Sequence, residues 1–535
     1  MRSHATRVPA PGRLTRALRT VAAIVSVTAL AGCSAIVGGI GGIGGTTAIG
    51  GGRRHAPGPW DWPGYGQNPQ HTFATRTTLT PAQAPTLREA WELRTGDAVT
   101  ATPTVVNGVV YAGSWDGWFY AVDLRTGALR WKFPLDAQPA VSPQPGVTPR
   151  DITSDGGMVT SSAWYEPGAR GRPDLVIFGG GYTLYALDAH TGALFWKHAY
   201  TGRPELPPDP VHDGTRIFSS PVVTDGKVIF GVSADGDRGR RGYIAAASLA
   251  TGVPVWTLET DRDATGAIAN DGCGNVWSSG TLLPRAGLVV FDTSDCHFSN
   301  DLPLSESIVA VRVRDGSVAW SYRPPRHDAS CDLDFGATVN AGLDRRGRAT
   351  FLGVGGKDGT YYSLDPRTGA PRWSTNVVFG GFSGGFIGTT AYDGTHVVGS
   401  TALGDFGRFE SNGPTVCDPA DPHDVALQEP TVHAFDTRTG AVTWQATGAA
   451  SFAPTTLAGG MTFNGRALAD QVQVRDVRTG ALLASLPLQA PNWSGIAVVA
   501  DTLVLGTGAS QQGSPDGIVA FTPDGRAPLS SLRAP

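Results

Sequence analysis

The stretch Asp123-Leu-Arg-Thr-Gly127-Ala-Leu-Arg-Trp131 recurs along the chain, each time after an alternating apolar run. Clear copies run from Asp188 to Trp196, from Asp365 to Trp373 and from Asp436 to Trp444. Asp and Thr side chains can bond to the backbone of a tight turn, and Gly accepts a positive φ angle there. Each copy therefore predicts a strand, a tight turn and a second strand that is closed by a tryptophan.

Weaker copies complete the series. They run from Ser248 to Trp256, from Arg312 to Trp320 with Asp315 in place of Thr, and onward from Asp476, where Ala484 replaces the tryptophan. Repeated hairpins of this kind are typical of the blades of a β-propeller. We expect the tryptophan, four residues beyond the glycine, to fill the gap between neighbouring blades.

The two ends of the chain indicate how the ring closes. An eighth unit begins at Trp493, but it stops without a closing strand or tryptophan. The stretch from Leu87 to Leu93, which contains Trp91, precedes the first repeat and supplies what is missing. We therefore predict an all-β fold over residues 60–535: an eight-bladed propeller of four-stranded antiparallel blades, closed by an N-terminal strand that leaves no open sheet edge.

The overall charge argues against one class of partner. The chain of 535 residues has a net charge of −4, and no run of Lys or Arg follows the first 33 residues. Proteins that bind nucleic acid usually carry a basic patch or stripe. We therefore expect no nucleic-acid binding.

The first 33 residues look like a secretory leader. Several arginines precede the apolar stretch Val21 to Leu30, which is shorter than the roughly 20 apolar residues of a membrane-spanning helix. Leu30-Ala-Gly-Cys33 resembles the lipobox of bacterial lipoproteins, which implies that Cys33 carries a lipid; the alternative is an ordinary exported protein. Residues 34–59 are Gly-rich and are predicted to be a flexible tether. These features predict a protein outside the cytoplasm, anchored to the bacterial cell membrane.

Four cysteines remain beyond the leader, namely Cys273, Cys296, Cys331 and Cys417. An even number of cysteines in an oxidising compartment favours disulfides, and the absence of a Cys-x-x-Cys spacing argues against a zinc site. Three pairings are possible. We prefer Cys273 with Cys296, which flank one predicted hairpin, and Cys331 with Cys417.

Two of the repeats carry a family resemblance. The stretches from Thr183 to Trp196 and from Lys357 to Gly369 resemble the repeats of dehydrogenases that use pyrroloquinoline quinone (PQQ), and the resemblance covers residues 60 to 525. The family fold is an eight-bladed propeller that holds PQQ over a calcium ion at the top of its channel. The same repeats also build non-catalytic relatives, such as the lipoprotein that assists outer-membrane protein assembly in Gram-negative bacteria.

The resemblance implies an aromatic floor and a cation site. The tryptophan that stacks on the quinone corresponds to Trp277, unless Trp277 is another tryptophan between blades. Two family ligands of calcium, an Asn and a Glu, correspond to Asp295 and Asp237, and both replacements retain a carboxylate oxygen that calcium accepts. The alternative is that Asp237 belongs to a solvated turn and Asp295 ends a strand.

The resemblance also implies a base and a basic group. Asp328 corresponds to the aspartate that takes the alcohol proton and borders the metal, although an inserted residue leaves Asp332 or Asp334 as alternatives. Lys357 corresponds to the basic residue beside the quinone oxygens, where a cation stabilises developing negative charge. Without functional constraint, Asp328 would belong to an acidic surface loop and Lys357 would be an exposed lysine.

Two functions of different class follow from this pattern. The first is a membrane-tethered dehydrogenase that uses PQQ and calcium to oxidise an alcohol or sugar. Because no Cys-x-x-Cys-His occurs, the chain carries no covalent c-type haem and would need a separate electron acceptor. The second is a non-catalytic propeller scaffold that binds protein or cell-envelope ligands. The retained acidic character at the expected ligand positions favours the dehydrogenase.

Overall fold

The predicted eight-bladed, all-β propeller is confirmed. The structure, a computed structural model, describes residues 56–135, 159–169, 171–200, 216–233, 242–267, 274–295, 302–325, 333–378, 380–381, 384–402, 429–448, 450–467, 469–508 and 516–529. Within these residues the strands form eight sheets, seven of four strands and one of five. The described residues also contain two short 3-10 helices, Pro81–Thr86 and Pro284–Ala286.

The strands follow one another blade by blade. Two strands precede the first blade, β1 (Ala74–Thr75) and β2 (Leu87–Arg94). Blade 1 contains β3 to β6: Thr104–Val106, Val109–Gly113, Trp118–Asp123 and Leu129–Pro134. Blade 2 contains β7 to β10: Trp164–Glu166, Leu175–Gly180, Thr183–Asp188 and Leu194–Ala199. Blade 3 contains β11 to β14: Val222–Thr224, Lys227–Val232, Tyr243–Ser248 and Pro254–Glu259.

The middle of the chain forms three further blades. Blade 4 contains β15 to β18: Thr281–Leu283, Leu288–Asp292, Ile308–Arg312 and Val318–Tyr322. Blade 5 contains β19 to β22: Asn340–Leu343, Ala349–Gly355, Thr360–Leu364 and Pro371–Asn376. Blade 6 contains β23 to β26: Ala391–Tyr392, His396–Ser400, Val432–Asp436 and Val442–Ala446.

The last two blades recruit the strands that precede blade 1. Blade 7 contains β27 to β30: Thr456–Ala458, Met461–Gly465, Gln471–Asp476 and Leu482–Pro487, with β1 added in parallel to β27. Blade 8 contains β31 to β33: Ala497–Val499, Thr502–Thr507 and Gly517–Pro523. Its fourth strand is β2, antiparallel to β33. The predicted closure of the ring by the N-terminal strand is therefore confirmed.

The first strands of neighbouring blades contact one another, as β3 contacts β7 and β19 contacts β23. These strands therefore surround the central channel. We call the end of the channel at which the first strands begin the upper mouth and the opposite end the lower mouth.

The tryptophan of each repeat packs on the turn glycine of the next blade. The indole Nε1 of Trp196 donates a hydrogen bond to the carbonyl of Leu249 (2.9 Å), and a methyl group on Gly252 would lie 2.5 Å from the Trp196 ring. Gly252 also has a φ angle of +73°, so the turn needs glycine for two reasons. The same contact joins six more pairs of blades: Trp91 on Gly127, Trp131 on Gly192, Trp256 on Gly316, Trp320 on Gly369, Trp373 on Gly440 and Trp444 on Gly480.

Hydroxyl groups link several blades near the upper mouth. The main-chain N–H of Ser162 donates to the Ser220 hydroxyl (3.0 Å), and the N–H of Ser220 donates to the Ser279 hydroxyl (2.9 Å). The series continues from Ser279 to Thr338 and from Thr338 to Thr389, each at 3.0 Å. Each bond satisfies a buried backbone donor that no strand pairs, so it fixes the spacing of blades 2 to 6.

The lower mouth is crossed by residues 62–75, which we call the N-terminal crossing segment. Carbonyls along this segment accept hydrogen bonds from the first strands of blades 1, 2, 4, 5, 6 and 7, from the N–H groups of Val105, Tyr165, Leu282, Ala341, Tyr392 and Leu457. The segment's own side chains Trp62, His71 and Phe73 are buried. The upper mouth is the end of the channel that this segment leaves uncovered.

No helix among the described residues is long and apolar enough to cross a lipid bilayer. The leader (1–33), the lipidation residue Cys33 and the greater part of the tether (34–59) lie outside the described residues.

The contact between Trp196 and Gly252 can be tested with a double-mutant cycle. We expect Trp196→Ala to lower the free energy of unfolding by about 3–5 kcal/mol, because it opens a cavity between blades 2 and 3. Gly252→Ala combines a left-handed backbone with a clash against the indole ring. In the Trp196→Ala background the clash is gone, so Gly252→Ala should then cost only the backbone strain, about 1–2 kcal/mol.

Gly226 provides the matched control for this cycle. It has a φ angle of +70°, but a methyl group there would meet no atom within 4 Å. Gly226→Ala should therefore cost the backbone strain alone, whether or not Trp196 is present. Strictly additive losses for Trp196→Ala and Gly252→Ala in urea denaturation would contradict the packing role of the pair.

Candidate functional site

Three side chains from two blades meet at the upper mouth. Trp277 precedes β15 of blade 4, Asp334 precedes β19 of blade 5, and Lys357 lies in the loop between β20 and β21. The Lys357 Nζ lies 2.8 Å from Oδ1 of Asp334 and 5.0 Å from the centroid of the Trp277 ring. An ammonium group over an indole face is attracted by the ring quadrupole. Trp277 and Lys357, two of the residues that the sequence indicated, therefore lie side by side at the upper mouth.

The carboxylate of Asp334 joins blades 4 and 5. Its Oδ2 accepts a hydrogen bond from the main-chain N–H of Asp295 (3.1 Å), while its Oδ1 faces Lys357. The side chain of Asp334 is 1% exposed and that of Lys357 is 7% exposed. Removing two charges from water is costly, and close pairing with additional hydrogen bonds is what offsets this cost. The pair is therefore a buried and oriented ionic group rather than a surface contact.

The backbone holds Lys357 in place from two sides. Its N–H donates to the Asp334 carbonyl (2.8 Å), and its carbonyl accepts from the N–H of Gly381 (3.1 Å). A methyl group on Gly380 or Gly385 would collide with that carbonyl. Gly380 and Gly385 thus allow the backbone before blade 6 to approach Lys357 closely.

Trp277 lies across the start of the next blade. A methyl group on Gly336 of blade 5 would lie 3.1 Å from Cη2 of the indole. Trp277 is partly exposed, whereas Val276 and Ser278 on either side are buried. Trp277 thus borders the upper mouth ahead of a first strand, whereas the tryptophans that pack between blades lie on the outermost strands.

Several predicted residues lie outside the described part of the chain. They are Asp237, Asp328, Asp332 and the four cysteines Cys273, Cys296, Cys331 and Cys417. Asp295 is described and is buried, with 5% of its surface exposed. Among the described residues no three His, Cys, Asp or Glu side chains come together as a possible metal site. Of the three aspartates considered for the base, Asp334 is the described one, and it contacts Lys357.

Asp292 is a buried carboxyl group that the sequence did not single out. It ends β16, is 1% exposed, and neither of its carboxyl oxygens accepts a hydrogen bond from a described residue. Burial raises the pKa of Asp292 well above its ordinary value, because the charged form loses its hydration. The nearby Ser278 hydroxyl donates to the main-chain carbonyl of Asp292 (3.0 Å). An alternating strand sequence gives no signal that its last residue is a buried acid.

The buried pair can be tested by removing one charge. We expect Lys357→Met to lower the free energy of unfolding by about 3–5 kcal/mol, because it leaves the Asp334 carboxylate buried without its ammonium partner. The matched control is the surface pair of Arg372 and Asp365 (2.9 Å), where Arg372→Met should cost less than about 1 kcal/mol. Equal losses for the two variants in urea denaturation would show that burial of the Lys357 pair has no energetic consequence.

The protonation of Asp292 gives the stability a distinct pH dependence. Because its pKa is raised in the folded state, the folded chain holds this proton more tightly than the unfolded chain, and stability falls as the pH rises above the unfolded value. Asp292→Asn should therefore be more stable than the wild type at pH 8 and nearly equal to it at pH 4, as measured by chemical denaturation.

Asp436 provides a control of opposite sign. Its hydrogen bonds to Thr439 lower the pKa of its carboxyl, so its contribution to stability is present at neutral pH and is lost in acid. Asp436→Asn should therefore lose stability at pH 8. A gain of stability in both variants would refute the assignment for Asp292.

Two family models match the chain. One, described as glucose/ethanol/alcohol dehydrogenase, beta-propeller domain, matches residues 62–378. The other, described as outer membrane protein assembly factor BamB, matches residues 357–528. The first covers more than half of the chain, and its residues include Trp277, Asp334 and Lys357.

Curated relatives are similar at low identity. The polyvinylalcohol dehydrogenase of Sphingopyxis sp. (strain 113P3) is 23% identical over 411 residues, covering 70% of this chain and 56% of the relative. The quinoprotein glucose dehydrogenase of Escherichia coli (strain K12) is 26% identical over 343 residues, covering 58% of this chain and 43% of the relative. The chain thus spans about half the length of the curated relatives it matches.

Solved structures share the fold. The quinohemoprotein alcohol dehydrogenase from Comamonas testosteroni has a TM-score of 0.67 at 20% identity, covering 89% of this chain and 82% of that chain. BamB from Moraxella catarrhalis has a TM-score of 0.53 at 15% identity, covering 82% of this chain and 99% of that chain. At these identities the structures establish the fold, and the extent of the first family model establishes the family. The chain belongs to the family of PQQ β-propeller domains of glucose, ethanol and alcohol dehydrogenases.

Proposed function

We propose that this protein is a dehydrogenase that uses PQQ and calcium to oxidise an alcohol or sugar and passes the electrons to a separate acceptor. The observation that carries the proposal is the buried pair of Asp334 and Lys357 beside the partly exposed face of Trp277. A scaffold would have no need to bear the desolvation cost of this pair at an open mouth.

The described residues fit a flat, anionic quinone. Trp277 offers an aromatic face, Lys357 offers a positive charge over that face, and Asp295 is a buried acidic residue next to Asp334. In this proposal Trp277 and Lys357 hold the cofactor, and Asp295 contributes to the calcium site together with Asp237 and Asp328. When bound, PQQ would supply the two-electron acceptor that the oxidation of an alcohol requires.

Among the described residues, Asp334 is the one placed to act as the base. Oxidation of an alcohol to a carbonyl removes a hydride from carbon and a proton from the hydroxyl group. The Asp334 carboxylate, which lies 2.8 Å from the Lys357 ammonium, would accept that proton. This assignment adopts one of the alternatives that the sequence left open, and Asp328, outside the described residues, stays a prediction.

The similar proteins support the alcohol class. They include dehydrogenases of polyvinyl alcohol, of glucose and of alcohols, and a lupanine 17-hydroxylase whose name includes cytochrome c. The chain itself has no Cys-x-x-Cys-His for a covalent haem, which supports a separate acceptor. The leader and Cys33 further support a location outside the cytoplasm, anchored through a lipid.

The proposal is tested by titrating the full chain with PQQ in the presence of calcium and measuring dye reduction with alcohols and sugars. We expect saturable PQQ binding and alcohol-dependent dye reduction. Asp334→Asn should retain PQQ binding and lose about 100-fold or more in kcat, the usual effect of removing a general base. Asp344→Asn, in the turn between β19 and β20, is the control and should match the wild type in PQQ binding and kcat.

Two outcomes would contradict the proposal. Absence of saturable PQQ binding would exclude the dehydrogenase and leave the propeller as a binding scaffold. Full activity of Asp334→Asn would exclude this residue as the base.

A further inference from the structure

A ring of eight equivalent positions surrounds the upper mouth. In every blade the residue four positions before the first strand is partly exposed, although the residues on both sides of it are buried. Three blades have small residues there: Thr100 in blade 1, Thr160 in blade 2 and Gly336 in blade 5. The other five have large apolar residues: Phe218, Trp277, Ile387, Phe452 and Trp493 in blades 3, 4, 6, 7 and 8. We call these eight positions the mouth ring.

Members of the mouth ring contact one another around the channel. A methyl group on Gly336 would lie 3.1 Å from both Trp277 and Ile387, so the small residue of blade 5 accommodates its two larger neighbours. The rings of Phe452 and Trp493 meet edge to face, with centroids 5.0 Å apart. The Trp493 Nε1 donates to the Ala467 carbonyl (3.2 Å), which fixes the orientation of the indole. Phe452 and Trp493 therefore form a rigid aromatic wall.

The aromatic wall lies across the channel from Trp277. Blade 8 is half a turn of the ring from blade 4, so a molecule held beside Trp277 faces Trp493 and Phe452 on the opposite side. None of the eight mouth-ring positions carries a charge. The hydroxyl of Thr100 is already used as the acceptor for the Nε1 of Trp115 (2.8 Å). The ring thus offers apolar surface and few hydrogen bonds.

We infer that Phe452 and Trp493 bind the carbon skeleton of the substrate, and that the substrate is an alcohol with an apolar chain or aromatic group rather than a sugar or a short alcohol. This inference rests on the proposed function and names its substrate class. Apolar contact improves binding by roughly fourfold for each buried methylene. Sugar hydroxyls placed against the same wall would lose hydrogen bonds to water without replacement.

The inference is tested with the full chain, PQQ and calcium, and a series of ethanol, 1-butanol, 1-octanol and glucose. We expect kcat/KM to increase along the alcohol series through a falling KM, and glucose to be a poor substrate. Phe452→Ala and Trp493→Ala should raise the KM for 1-octanol about tenfold and leave its kcat nearly unchanged. Phe452→Leu and Trp493→Phe keep apolar surface, so their KM for 1-octanol should lie close to that of the wild type.

The matched control is Phe195→Ala, on the outermost strand of blade 2, where the side chain is 40% exposed and far from the mouth. This variant should match the wild type for every alcohol. Equal kcat/KM for ethanol and 1-octanol, a preference for glucose, or unchanged 1-octanol kinetics in the Phe452→Ala and Trp493→Ala variants would overturn the inference while the proposed function stands.

Calorimetric titration of the full chain with 1-octanol, with and without PQQ, separates the two proposals. If PQQ does not bind, the proposed dehydrogenase fails. The aromatic wall is then judged by 1-octanol binding alone: binding that is lost in Phe452→Ala and Trp493→Ala supports it as an apolar site, and no binding, or binding unchanged in those variants, refutes it.

Discussion

The packing of one indole ring on one turn glycine is the contact on which this propeller depends. Seven of the eight junctions between blades use it, including the junction at which Trp91 of β2 meets Gly127 of blade 1. The contact demands a glycine because the turn has a positive φ angle and because the neighbouring ring occupies the space of a side chain. Ring closure therefore uses the same interaction as every repeat that keeps its tryptophan.

Because the contacts between blades lie away from the upper mouth, the residues at the upper mouth can vary. The tryptophans and turns stabilise the outer part of the ring, and the N-terminal crossing segment covers the lower mouth. The residues that face the upper mouth come from loops and strand ends, so they can change without altering the contacts between blades. Asp334 and Lys357 use this freedom to place a buried ionic pair where two blades meet.

The sequence identified part of the candidate site. Trp277 and Lys357 could be found because each lies at a fixed offset from a repeat, and the structure brings them within 5.0 Å. The base was harder to assign, since the loop before blade 5 contains several aspartates and spacing alone does not tell which of them faces Lys357. No sequence pattern identified Asp292 or the wall of Phe452 and Trp493. Their burial and their contacts depend on neighbours that are far away in the chain.

The sequence by itself determined the fold class, the number of blades and the closure by an N-terminal strand. It could do so because turns and strand alternation depend on nearby residues, and the same turn motif and strand pattern recur in each repeat. Only the tertiary structure decided which acid pairs with Lys357 and which side chains surround the upper mouth. The ionic pair joins two loops of blade 5 that are more than 20 residues apart, and its contacts with Trp277 and Asp295 reach blade 4, so their geometry follows from the packing of neighbouring blades rather than from any one repeat.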